Sequence, residues 1–210
     1  MSELTFEGLT LVGEVSEEVD FAGISFEDAK LRSCKFLRCS FHDARMLECQ
    51  TASCWFEECS FNGTALGGSY HDMTSFINCQ FEYATMLNVA FINCRLLGSD
   101  FLDTPLLGCT IKNGDWSFVG LRNQNMSNQD LRGVKFCEAD LAGCNLENAD
   151  LRGADLSRAN LSNTMLKGTD LRKTLMKGTN LRGLNIRGAK IDIAFAIDFA
   201  HAHGGILLDE

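Results

Sequence analysis

Proline is nearly absent from this chain: there is one proline in 210 residues, beside 19 glycines, and tyrosine and tryptophan occur twice each. Long hydrophobic runs are missing as well, since no stretch approaches the roughly 20 consecutive apolar residues that span a membrane. The amino terminus, MSELTFEGLTLVGEVSEE, lacks the basic segment and apolar run of an export signal. We therefore expect a cytoplasmic protein without a membrane segment, in which the ten cysteines stay reduced.

Basic residues are the minority charge. Nineteen lysines and arginines stand against 28 acids, which gives a formal net charge of -9. Proteins that bind nucleic acid directly usually present a basic surface to the phosphates, so direct nucleic-acid binding is disfavoured. An acidic exterior suits a basic partner instead. The hydrophobic content of 45% is enough for the core of one folded domain.

A period of five residues runs through most of the sequence. From Phe21 to Ile191, 33 of the 35 positions spaced five apart hold a large apolar residue, the exceptions being Thr51 and His71. We call this position the centre of each repeat. A small residue stands two positions before it, in what we call the small slot, and glycine recurs two positions after it. Neither the 3.6-residue period of a helix nor the two-residue period of a long strand explains this spacing.

A short extended segment followed by a corner does explain it. The small residue and the centre are two apart, so both point inward from an extended backbone, and the next two residues turn, where glycine is permissive in φ. Repetition gives a flat-sided coil whose layers lie about 4.8 Å apart and are joined by backbone hydrogen bonds. Each end of such a solenoid needs a cap, since an open end is an unpaired sheet edge.

The pattern divides the chain into an irregular amino-terminal cap at 1–20, a coil at 21–191 and a tail at 192–210. Glu14 falls on a small slot, which sets the first residues apart from the coil. In the tail, IDIAFAIDFAHAHGG predicts a short α-helix with Asp192 as its N-cap and two glycines as its stop. The apolar residues there exceed what one short cap buries, so we predict a homodimer contact; packing within one chain is the alternative. The predicted dimer residues are Phe195, Phe199, Ile206, Leu207 and Leu208.

Catalytic and metal-binding patterns are not found in the sequence. No nucleophile with its base, phosphate-binding loop or carboxylate dyad is present, so we expect no enzymatic activity and no cofactor. Nine of the ten cysteines, all but Cys137, occupy small slots and are interpreted as core residues rather than metal ligands. Thr51 and His71, the two irregular centres, are interpreted as a satisfied polar patch, a local bulge or a partner contact.

The segment ADLRGADLSRANLSNTMLKGTDL resembles the A(D/N)LXX repeat of the pentapeptide-repeat proteins, and the resemblance covers about residues 19–191. It implies an all-β fold, a right-handed quadrilateral β-helix with four repeats per coil, to which the tail adds a short α-helix. The tail, GAKIDIAFAIDFAHAHG, is similar to the dimerisation segment of the quinolone-resistance group, Qnr and MfpA. That similarity implies a homodimeric DNA mimic that binds a type II topoisomerase, DNA gyrase or topoisomerase IV, and protects it against quinolones. The alternative is a generic interaction scaffold with an unrelated partner.

Charge density restricts the mimicry that such a rod can achieve. Duplex DNA carries one charge per roughly 1.7 Å, so a rod of about 40 Å would need about two dozen negative charges. The net charge is also banded: residues 1–28 carry -8, residues 46–121 carry -6, residues 122–191 carry +5 and residues 192–210 carry -4. We therefore expect a local acidic surface. The candidate residues for it are Asp100, Asp103, Asp115, Asp140, Asp192 and Asp198.

Overall fold

The computed structural model describes residues 5–206, of which residues 5–191 form a coil with four flat faces. Residues of a face pair in parallel with residues 20 positions later, as Thr10 pairs with Lys30 and Gln50 with Tyr70. These pairings extend from Thr5 to Lys190 and therefore make about nine coils, stacked over roughly 40 Å. The predicted all-β fold, a quadrilateral β-helix with a short carboxy-terminal helix, is confirmed.

Two adjacent faces carry three-residue strands in the amino-terminal half. Face 1 holds a six-stranded parallel sheet and face 2 a four-stranded one, whereas face 3, face 4 and the later coils are joined by single bridges. Face 1 consists of β1 (Thr10–Val12), β3 (Lys30–Arg32), β5 (Gln50–Ala52), β7 (Tyr70–Asp72), β9 (Ala90–Ile92) and β10 (Thr110–Lys112). Face 2 consists of β2 (Val15–Glu17), β4 (Lys35–Leu37), β6 (Trp55–Glu57) and β8 (Ser75–Ile77). Face 3 contains the bridge from Ser40 to Ser60, and face 4 that from Ser25 to Arg45.

Phenylalanine fills the first half of the core. Rings on one face stack, as for Phe41 and Phe61 with centroids 4.9 Å apart, and rings on adjacent faces meet edge to face, as for Phe56 and Phe61 at 5.3 Å. Both arrangements suit the quadrupole of an aromatic ring, and each pair is worth about 0.5–1.5 kcal/mol beyond the area it buries. From residue 141 onward the centres are aliphatic side chains or methionine. The interior is therefore continuous but changes in character along the rod.

The small slots contain side chains that satisfy backbone carbonyls inside the rod. The Thr64 hydroxyl donates to the Phe41 carbonyl at 2.7 Å, and the Cys59 thiol donates to the Phe36 carbonyl at 3.5 Å. Every slot cysteine is buried and free, and burial raises the pKa of Cys94 to about 12. A thiol that stays protonated is a poor nucleophile, so Cys94 is unreactive, and the burial of all nine slot cysteines makes them core residues.

The corners place the second residue after the centre in the left-handed region. Gly23 has a φ of 68° there, but Asp43 at 53° and Asn78 at 52° adopt the same conformation. Asparagine and aspartate tolerate it better than other residues with a side chain. Gly114 is a different case, because it lies in a small slot and a Cβ there would overlap the carbonyl oxygen of Cys94.

The amino-terminal end differs from the prediction of an irregular cap at 1–20. Strands β1 and β2 pair with β3 and β4, and Thr5 bridges to Ser25, so residues 5–20 form the first coil. Glu14 and Leu9 occupy small slots but are exposed. No described residue covers this layer on its outer side, so a large or charged slot residue costs little there. This coil itself covers the core at that end.

Helix α1 (Ile193–Ala202) lies at the other end, as predicted. Asp192 is its N-cap and accepts hydrogen bonds from the backbone N–H groups of Phe195, at 3.0 Å, and Lys173, at 2.6 Å. The Arg182 side chain donates to the Ala202 carbonyl at 2.8 Å. Both helix termini are thus tied to the preceding coil, and Phe195 completes the core with 4% of its surface exposed.

Candidate protein-interaction surfaces

Acidic residues that directly precede a centre stabilise the corners of the coil through hydrogen bonds. The Asp100 carboxylate accepts the backbone N–H of Leu102 at 3.0 Å, and Asp140 accepts that of Ala142 at 3.2 Å. Asparagine does the same, as at Asn145. Such Asx turns stabilise a change of chain direction, which explains why the repeat prefers aspartate or asparagine at this position. The side chain remains at the surface, so one residue serves both the corner and the exterior.

The six predicted acids do not form one surface. Asp100 and Asp140 share face 3 with Gly120 between them, and Asp103 occupies the adjoining corner toward face 4. Asp115 lies on face 2 between Arg95 and Lys135. Asp192 is committed to the helix N-cap, and Asp198 is exposed on α1. Asp100 and Asp103 are therefore the members that share an acidic neighbourhood.

Glu82 completes that neighbourhood, although the sequence-based prediction left it out. It precedes Leu102 by one coil, and the charges of Glu82 and Asp103 raise the pKa of the intervening Tyr83. The one nearby base, Arg122, is paired with Asp140 at 3.0 Å. Writing the sequence in rows of 20 would have found Glu82. We call Glu82, Asp100 and Asp103 the acidic corner.

Several acids elsewhere on the rod are neutralised by arginine. Glu17 and Glu18 pair with Arg38 in the next coil. On face 1 of the later coils, Arg132 bonds both oxygens of Asp130 at 2.7 Å and lies 3.7 Å from Asp150. The same arrangement recurs in the following coils, where the hydrogen bond from Arg172 lowers the pKa of Asp170 to about 2. Exposed pairs of this kind contribute little stability individually, but they cancel the local charge.

The predicted dimer residues differ in their environment. Phe195 is buried within its own chain, whereas Phe199 is half-buried and stacks at 6.1 Å from it. Ile206 is 85% exposed, and Ile193, which was not predicted, is also exposed. Leu207 and Leu208 lie outside the described residues. The dimer contact stays a prediction, with Phe199 and Ile206 as its accessible members.

Thr51 and His71 form a buried polar network rather than a bulge. The Thr51 hydroxyl lies 2.8 Å from His71 Nδ1 and 2.8 Å from the Thr74 hydroxyl, while the Ser69 hydroxyl lies 2.9 Å from His71 Nε2. Strand pairing continues through them.

Between residues 5 and 206, no group of three His, Cys, Asp or Glu side chains is placed to hold a metal ion. No helix in that range has the length and apolarity to cross a membrane.

Comparison with known proteins agrees with this architecture. Residues 121–153 and 154–191 match the family of pentapeptide repeats, with eight copies. Among solved structures, full-length QnrB1, a plasmid-mediated fluoroquinolone resistance protein, superposes with a TM-score of 0.75 at 19% identity, covering 95% of this chain and 99% of that one. A trypsin-treated QnrB1 variant gives 0.76 at 21% identity, covering 95% and 98%. No curated protein sequence matches the chain.

The fold and its repeats define a parallel β-solenoid with a closed core and an exposed exterior. Residues 121–191 carry pentapeptide repeats, and the chain shares the fold of QnrB1. The matched residues are those in which leucine dominates the centres and aspartate or asparagine precedes them. Earlier coils have phenylalanine and cysteine in the equivalent inward positions, and the same 20-residue pairing shows that they belong to the same solenoid.

Proposed function

We propose that the protein binds a type II topoisomerase, DNA gyrase or topoisomerase IV, as a DNA-mimicking rod and protects it against quinolones without catalysing a reaction. The observation that most supports this is the agreement with QnrB1, described as a fluoroquinolone resistance protein, over 95% of the chain. The net charge of -9 also suits an enzyme surface that is built to receive DNA.

The acidic corner is the part of the rod that would replace DNA phosphates. Glu82, Asp100 and Asp103 lie within two adjacent layers, which are about 4.8 Å apart. Mimicry is local in this proposal, because acids of the face 1 ladder, and Glu17 and Glu18 in the amino-terminal coil, are paired with arginine. A cytoplasmic homodimer joined through the carboxy-terminal tails would present two such corners along about 80 Å.

Supercoiling by purified gyrase, with and without a quinolone, tests the proposal. The wild-type protein should inhibit supercoiling or restore it in the presence of the drug, and the effect should weaken as salt screens the contact. The variant with Glu82→Gln, Asp100→Asn and Asp103→Asn should need at least about tenfold more protein for the same effect. Asn at position 100 keeps the Asx-turn acceptor, so the variant removes charge and spares the corner.

The matched control is Glu7→Gln, Glu14→Gln and Asp20→Asn, which removes three exposed charges from the amino-terminal coil and keeps the Asx-turn acceptor at position 20. It should behave like the wild type. Equal losses in both variants would contradict the role of the acidic corner. No inhibition and no protection at any concentration would refute the topoisomerase proposal and favour the scaffold alternative.

A further inference from the structure

The ladder of face 4 is interrupted at Pro105. Bridges connect Ser25, Arg45, Ala65 and Thr85, and after a gap they resume at Asn125. Proline occupies the position from which Thr85 donates its N–H to the Thr64 carbonyl at 3.0 Å. Because proline has no N–H, the coil at Pro105 cannot make this contact. The chain at 102–108 is therefore held less tightly to the coils on either side.

On the side of the following coil, where no bridge joins Pro105 to Asn125, Gln124 links the two coils from inside the rod. Its Nε2 donates to the carbonyls of Phe101, at 3.3 Å, and Thr104, at 3.0 Å, and its Oε1 accepts the Leu106 N–H at 3.1 Å. These bonds join the two coils through an amide side chain in place of a backbone bridge. A groove results between residues 102–107 and residues 122–125.

Apolar side chains surround this groove on the outside. Leu102 and Tyr83 lie at the corner between faces 3 and 4, and Leu87 and Leu107 lie at the opposite corner of face 4. Each exposes more than half of its surface. The Leu87 side chain reaches toward the backbone of Gly108, beside Leu107. We call these four residues the leucine patch. Clustered exposed apolar side chains of this kind mark interaction sites more often than isolated ones do.

We propose that the leucine patch binds a basic amphipathic helix of a partner protein. Face 4 spans three extended residues between its corners, roughly 10 Å, which matches the width of a helix with its side chains. The outward residues here, Thr85 and Pro105, carry no charge. Glu82 and Asp103 line one edge, so a helix with an apolar stripe flanked by lysine or arginine complements both features. This inference does not require that the partner be a topoisomerase.

Fluorescence anisotropy with a labelled peptide tests the inference. The probe is a helix of about 18 residues that contains only leucine and lysine, with the leucines on one face. It should bind the wild-type protein, and the Leu102→Gln, Leu107→Gln variant should lose affinity by about tenfold or more. The control is Leu175→Gln, at a similarly exposed leucine on face 2, which should leave binding unchanged. A scrambled peptide of the same composition reports the purely electrostatic contribution and should bind all three proteins equally and weakly.

Equal affinity of wild type and double variant would overturn the proposal, as would equal binding of the striped and scrambled peptides. A lower sedimentation mass for the double variant would also overturn it, because a second copy would then occupy the patch. All three substituted side chains are exposed, so the melting temperature of each variant should match that of the wild type. The peptide result is independent of the supercoiling assay, and failure of either proposal leaves the other standing.

Discussion

The imidazole of His71 stacks on the ring of Phe91 inside the rod, with the ring centroids 5.2 Å apart. Hydroxyl groups of Thr51 and Ser69 lie within hydrogen-bond distance of its two nitrogens. Burial lowers the pKa of His71 to about 3, whereas an exposed histidine titrates near 6.5. The folded protein therefore keeps this side chain neutral in a pH range where the unfolded chain protonates it.

Because of this difference in pKa, the free energy of unfolding should decrease as the pH is lowered. The contribution of His71 is complete above about pH 6.5 and is lost as the pH falls toward 3, with a slope of up to about 1.4 kcal/mol per pH unit. Between about pH 7 and pH 5 the free energy of unfolding should drop by about 2 kcal/mol, measured by denaturant titration. His71→Phe keeps the stacking and should remove most of this drop. An equal drop in the variant would assign the effect to other groups.

The Asx turns predict a difference between two substitutions at one site. The Asp155 carboxylate accepts the Ser157 N–H at 2.9 Å. Asp155→Ala should lower the free energy of unfolding by about 1 kcal/mol, since a corner loses its acceptor, while Asp155→Asn should leave it nearly unchanged. Chemical denaturation measures both. If the two variants lose the same stability, the negative charge rather than the acceptor is what matters.

Two glutamines in small slots should respond in opposite ways to alanine. Gln124→Ala removes the bonds to Thr104, Phe101 and Leu106 and should cost about 2 kcal/mol or more, because buried backbone groups lose their partners. Gln129 is the control, since its buried Oε1 has no hydrogen-bond partner among the described residues. Gln129→Ala should be neutral or stabilising in the same unfolding experiment. If Gln124→Ala leaves the free energy of unfolding unchanged, the hydrogen bonds of Gln124 do not stabilise the contact between these two coils.

The predicted dimer contact can be separated from the folding of the tail. Phe199→Asp with Ile206→Asp should give monomers in analytical ultracentrifugation, because both side chains are accessible. Phe195→Ala should instead lower the free energy of unfolding by about 3–5 kcal/mol, as expected for a phenylalanine truncated in a core. An unchanged dimer mass in the aspartate variant would contradict the assignment of the interface.

The sequence alone specified the direction of nearly every side chain in the coil. An inward residue at every fifth position, preceded by a small one, is compatible with short extended segments and tight corners, and with neither a helix nor a long strand. Phe41, Cys59 and Leu151 could therefore be placed in the core without coordinates. The same rule misjudged residues 5–20, because Glu14 lies in an end layer where an inward slot is open to solvent.

Contacts between coils were decided by the tertiary structure, because a period of five does not state how many repeats close one turn. Pairing at 20 residues brings Glu82 to Asp103, separates Asp115 from Asp100, and sets Gln124 beside the gap at Pro105. The burial of Phe195 likewise depends on where α1 lies against the last coil. Local periodicity determines which way a side chain points, whereas the stacking of residues distant in sequence determines which residues it contacts.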